Sequence, residues 1–252
     1  RIGVAPHSLR AVTGDELTAL AGVFRAGPIH IHVAEQIREV EESLAFSGRR
    51  PVEWLLDHAE VDGRWCLIHA THMTEAETLA VATSGAVAGL CPITEANLGD
   101  GLFPAPEFLA AGGRFGVGSD SNVEIGAAAE LRLLEYGQRL SRRGRNLLAD
   151  REGQSTGEAL YRAALAGGAQ ALGQPVGALA PGCHADLVVL DVRHPALAAL
   201  DAADWLDGYI FAGGAAAIDK VVVRGQLVVD GGRHVHRSAV AARFAERMRR
   251  LQ

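Results

Sequence analysis

Between residues 2 and 117 short apolar runs alternate with amphipathic stretches, and this alternation constrains the fold more than any other feature of the chain. The apolar runs predict strands at 2–4, 29–33, 65–68, 86–90 and 114–117, and the 3.6-residue pattern between them predicts helices at 13–24, 37–46, 51–58, 75–83 and 106–111. Thr13 with Glu16 three positions on reads as a capping box, and Pro51 suits the first turn of its helix. Repeated βα units imply a parallel sheet, either an open doubly wound one or a closed barrel.

The polar residues choose between the two. Each predicted strand is followed on its C-terminal side by chemistry: Pro6, His7, Ser8 and Arg10; His32 and Glu35; His69 and His72; Cys91, Thr94 and Asn97; Ser119, Asp120 and Asn122. Groups gathered from the ends of many strands mark a TIM (β/α)8-type barrel, whereas a Rossmann-like sheet binds at one switch point behind a G-x-G-x-x-G turn, and no such turn follows a strand here. Within 29–33, IHIHV, the period of two puts isoleucine and valine on one face and His30 and His32 on the other. One face of this strand is therefore polar, and His30, the deeper of the two on it, reads as a packed, hydrogen-bonded residue.

After Asp120 helices are expected at 127–140 and 156–172, the second closed by Gly173, followed by a Pro/Gly-rich connection at 175–182. From Ala185 the pattern turns to β, with a hairpin reversing at Arg224-Gly225, and residues 183–236 read mainly as a small β subdomain. A last helix is expected at 238–251. The domain reading is therefore 1–175 for barrel, 176–237 for a β-sandwich segment and 238–252 for a C-terminal helix.

Thirty acidic and 24 basic residues are well mixed over 252 positions, which leaves no basic footprint for nucleic acid or an anionic membrane and points to a small-molecule partner. Arg142, Arg143 and Arg145, and the arginines within 247–250, sit where helices end and cations suit the macrodipole. Three scattered cysteines, Cys66, Cys91 and Cys183, without C-x-x-C argue against a disulfide framework or a cysteine zinc knuckle and for a reducing, cytoplasmic compartment. No apolar run approaches the roughly 18–20 residues that cross a bilayer.

Singly, each polar residue has an ordinary structural explanation: a hydrogen-bonded core histidine, a loop aspartate, a helix-start glutamate. Two histidines, a glutamate and an aspartate at successive strand ends are together the donor set of a catalytic zinc or similar divalent ion, with a carboxylate left for proton transfer. Metal-assisted hydrolysis is the reaction class they suggest. HIHVAEQ, HATH, CPITEAN and GVGSDSN in this order resemble the later half of an amidohydrolase-superfamily barrel, and GGAQALG at 167–173 and PGCHADLVVLD at 181–191 resemble that family's return into a composite β-sandwich. The resemblance implies His32 and Asp120 as metal ligands, Glu35 as proton shuttle, His69 as an assisting histidine and Asp120 also as the base for water. It implies zinc, or another divalent metal such as iron, one per subunit, and a homodimer.

Within the deaminase branch, PHSLRAV at 6–12 is similar to the formimidoylglutamate deiminases, whose substrate is a dicarboxylate; Arg10 would pair with a carboxylate and His7 lie beside it. This implies hydrolysis of N-formimidoyl-L-glutamate to N-formyl-L-glutamate and ammonia in histidine degradation. A purine deaminase, a chlorohydrolase and a non-catalytic metal-binding module are the competing expectations. The family's H-x-H ligand pair is expected upstream of Arg1, because this chain reads as strands four to eight of the barrel, either as part of a longer protein or as a truncated product. His234-Val235-His236 is expected at the surface.

Overall fold

The computed structural model describes residues 2–149, 151 and 153–251. Four parallel strands, β1 (Ile29–Val33), β2 (Trp65–His69), β3 (Val87–Leu90) and β4 (Arg114–Val117), lie side by side in chain order. The helices between them are α1 (Gly14–Val23) before β1, α2 (Ile37–Ser47), α3 (Pro51–His58), α4 (Glu75–Ser84), α5 (Pro92–Leu98) and α6 (Ala105–Ala110). Then come α7 (Ala127–Arg142) and α8 (Thr156–Leu172). Both the Thr13–Glu16 and the Thr74–Glu77 capping boxes form, Pro51 opens α3, and α8 ends at Gly173 in the left-handed region.

Two expectations at the parallel sheet end differently. Residues 2–4 do not form a full strand: the segment runs beside β1 through isolated parallel bridges, Val4 with Ile29 and Ser8 with His32, joined by Val4 N–H to the Pro28 carbonyl, His30 N–H to the Val4 carbonyl and His32 N–H to the His7 carbonyl. The CPITEANL stretch is the helix α5, with Pro92 at its first position, where the missing N–H is harmless.

Period-two patterning sorts the sheet as anticipated. Ile29, Ile31, Val33, Trp65, Leu67, Leu90 and Phe115 join the main core, while Cys66, Val87 and Ala171, with Ile68 against them, form a small cluster of their own. Helix α8 closes tightly over β4: a Cβ on Gly167 would stand 1.9 Å from the Phe115 carbonyl oxygen, so only glycine permits this approach. At the end of α8 the Ala171 carbonyl accepts a hydrogen bond from His30 Nε2 at 2.8 Å, which is the packed role the sequence suggested for that histidine.

A second, antiparallel sheet follows in the order β5 (Leu187–Leu190), β6 (Ile218–Val223), β7 (Gln226–Asp230) and β8 (Arg233–His234). Arg224 and Gly225 both have positive φ, +49° and +78°, the pair a tight hairpin turn needs. Residues 202–217, expected within the β unit, are instead a run of short helical turns whose Tyr209, Ile210 and Ala217 belong to the main core. Asp207 of this run accepts the Gly157 N–H at 2.7 Å, so it also caps the start of α8. The β unit is thus interrupted by a segment that packs into the main core. Within this run Trp205–Gly208 forms the short helix α9, and the expected last helix is present as α10 (Arg237–Arg249), with no buried residue. The His234–His236 pair is exposed, as anticipated.

Candidate active site

The C-terminal ends of the parallel strands bring all six sequence-nominated residues into one place. The ring of His32 lies 5.1 Å from that of His7 and 5.6 Å from that of His69, centroid to centroid. The Nε2 of His69 faces Glu35 Oε1 at 3.7 Å and Asp120 Oδ2 at 4.0 Å. Arg10 Nη2 lies 3.5 Å from Glu35 Oε2, which places the guanidinium beside the glutamate. His72 turns away and donates from Nε2 to the Asp100 carbonyl at 2.6 Å.

Local backbone geometry aims these groups. His7, His69 and Asp120 have φ of +62°, +67° and +40°, left-handed values that cost a non-glycine residue about 1–3 kcal/mol each and cluster where function over-determines the fold. The turn after β1 is held by the buried Glu39, whose carboxylate accepts the Ala34 N–H at 3.0 Å and the Glu35 N–H at 2.9 Å. The Asp120 loop is tied to α5, because Thr94 Oγ1 contacts Ser121 Oγ at 2.9 Å.

The ring of His32 is oriented by a backbone carbonyl. Its Nδ1 lies 2.8 Å from the His7 carbonyl oxygen, an acceptor, so Nδ1 carries the proton and Nε2 keeps its lone pair. His69 is almost fully buried and its Nδ1 donates to Glu95 Oε1 at 3.2 Å. Burial pushes the His69 pKa down, but the Glu95 hydrogen bond and the charges of Glu35, Glu95 and Asp120 outweigh it, and the net shift is upward. His69 is therefore set to act as a hydrogen-bond donor.

Ligand atoms of His69, Cys91 and Asp120 all lie within 4.8 Å of one another. The imidazole of His69 and the carboxylate of Asp120, with the ring of His32 5.6 Å from that of His69, are donor types that suit a divalent ion of zinc type. Cys91 fits less well, since burial first, then the neighbouring charges of Glu95, Asp120 and Glu130, push its thiol far up and keep it neutral. Glu95 and Glu39 were not singled out from sequence. The signal for Glu95 was the i,i+4 spacing from the strand-end Cys91, whose N–H it accepts at 2.9 Å.

Residues 1–228 match the model of the amidohydrolase family. Formimidoylglutamate deiminase of Pseudomonas aeruginosa is 53% identical over 246 residues, covering 97% of this chain and 54% of that protein. The crystal structure of an amidohydrolase from Brucella melitensis superposes with a TM-score of 0.91 at 55% identity, over 97% of this chain and 54% of that one. An adenosine deaminase from Xanthomonas campestris with bound zinc gives 0.85 at 26% identity, over 98% and 56%. The chain spans about half the length of the relatives it matches. With its parallel βα sheet and its constellation of histidines and carboxylates at the strand ends, this chain belongs to the amidohydrolase family.

Proposed function

We propose that this chain carries the hydrolytic half of a metal-dependent deaminase that converts N-formimidoyl-L-glutamate and water to N-formyl-L-glutamate and ammonia. The observation that carries the reading is the convergence of Glu35 and Asp120 on His69 Nε2, at 3.7 and 4.0 Å, with the ring of His32 stacked 5.6 Å from that of His69. His32 and Asp120 are the residues here that would hold the metal, which when bound acts as a Lewis acid and brings the pKa of water towards ~7. Zinc is supported by the zinc-bound neighbour and by the donor set.

Asp120 takes a proton from the water that attacks the formimidoyl carbon. His69 donates from Nε2 to the oxygen as charge builds on it, an interaction worth a few kcal/mol in buried oxyanion sites. Glu35, protonated, delivers its proton to the imino nitrogen; the proton held by Asp120 then reaches the same nitrogen as the C–N bond breaks, ammonia leaves, and the adduct's hydroxyl proton returns to Glu35, which leaves the formyl group on glutamate. Arg10 holds a substrate carboxylate in a planar, two-pronged pair, and His7 lies beside it. Arg10 lies beside Glu35 in a partly exposed contact, with which a carboxylate of the substrate would compete. Residues 4–117 then occupy the places of strands four to eight in the family's barrel.

A purine deaminase would share His32, Glu35, His69 and Asp120 but has no dicarboxylate for Arg10 to bind. Ammonia release from N-formimidoyl-L-glutamate, guanine and adenosine, measured in parallel, separates the two. Turnover of the first alone is expected, with Arg10→Gln raising KM; turnover of a purine in its place would overturn the substrate assignment.

A further inference from the structure

We propose that Glu95 is the positioning residue for His69: its buried carboxylate takes the Nδ1–H and so aims Nε2 at Glu35 and Asp120. The contact joins two strands' worth of chemistry. His69 ends β2, and Glu95 stands four residues past the Cys91 that follows β3. Glu95 Oε1 is 3.2 Å from His69 Nδ1 and 2.9 Å from the Cys91 nitrogen, so the acceptor is itself anchored to the backbone that opens α5. The Glu95 and His69 side chains are 4% and 1% exposed, which leaves no solvent to substitute for either partner.

A carboxylate can only accept, and an imidazole that gives it Nδ1–H is fixed in ring orientation about its Cβ–Cγ bond. With φ of +67° at His69 the backbone directs the side chain off the strand, and Glu95 determines which nitrogen faces the reacting groups. The same negative charge steadies the ring when it bears a second proton at Nε2. The inference rests on the hydrolytic role proposed above for His69, and its alternative is that Glu95 merely caps α5 through Cys91.

Glu95→Gln separates the two, since its amide oxygen can still accept the Cys91 N–H while the charge beside the ring is gone. In imidazole 1H–15N spectra of the full, metal-loaded protein, one strongly downfield Nδ1–H proton is expected, moved upfield in Glu95→Gln and missing in His69→Asn. In turnover, Glu95→Gln is expected to lower kcat about 10- to 100-fold at little changed KM, as outer-shell partners do. Placed on His69→Asn, it should add no further loss, because residues acting through one another are not additive. A downfield proton indifferent to Glu95, losses that multiply, or a loss explained by a lower melting temperature would overturn the inference. If the wild type releases no ammonia, the functional reading fails while the spectra still decide the contact.

Discussion

Strands β1, IHIHV, and β5, LVVL, are both short runs rich in branched apolar residues, yet their surroundings are opposite. In β1 Ile29, Ile31 and Val33 are almost fully buried; in β5 Val188 and Val189 keep 46% and 42% of their surface exposed. The difference lies in what covers them. The first sheet is roofed by helices, with α8 pressed on β4 at a glycine seam, whereas the second meets the main core through partly buried Leu190 and Ile218 at one end. Parallel strands buried under helices also end together at one edge, and that edge is where every candidate functional side chain lies. Apolar composition marks a strand; connectivity decides whether the strand supports a site.

That contrast can be broken or sharpened by substitution. The largest effect is expected at the site edge: Asp120→Asn removes the proposed base and metal donor, and kcat should fall on the order of 1,000-fold or more with the fold intact by circular dichroism. Next comes the glycine seam, where Gly167→Ala puts a methyl group against the Phe115 carbonyl and should lower stability by about 3 kcal/mol or more, read as a drop in denaturant midpoint. Ile31→Ala in β1 should cost about 2–5 kcal/mol, against less than about 1 kcal/mol for Val188→Ala in β5. Equal losses in the two sheets would mean that helix cover is not what distinguishes them.

The last effect is pH-dependent and lies beneath α5. Glu130 of α7 is buried; its Oε2 accepts the Ile93 N–H at 2.9 Å and its Oε1 finds no partner among the described residues. Burial pushes its carboxyl up to about 7, the Ile93 N–H opposes the rise, and the charges of Glu95, Glu124 and Asp120 add to it. The folded state thus holds a proton that the unfolded state has released above about 4.5, so Glu130 weakens the fold progressively as pH rises from about 4.5 through about 7, by up to about 3 kcal/mol. Glu130→Gln should flatten the melting temperature across that window; an unchanged profile would remove Glu130 from the account.

Much of this was legible in the sequence because the signals were local. The capping box at Thr13, Pro51 at a first turn, the alternation in 29–33 and the Arg224-Gly225 turn each specify their own conformation within a few residues. Helix α5 was obscured by Pro92, which reads as a breaker unless it is seen to occupy the first position. The run at 202–217 carries glycines and aromatics without helical period and is ordered by burial of Tyr209 and Ile210 in the main core, which no local window reveals. At the site, residue types at strand ends were readable, and their convergence on His69 follows from parallel topology. The partner of its other nitrogen was not: Glu95 is 26 positions away and lay in an unread helix. Nor do side chains announce the left-handed backbone at His7, His69 and Asp120, which tertiary packing imposes.

The central claim is that the strand-end groups hydrolyse an amidine-like carbon with the help of a divalent ion. Its most direct test follows ammonia release from N-formimidoyl-L-glutamate before chelation, after chelation and after readdition of zinc. Turnover that disappears with the metal and returns with zinc is the result this account expects. Turnover indifferent to chelation, with no metal bound in stoichiometric amount, would contradict it.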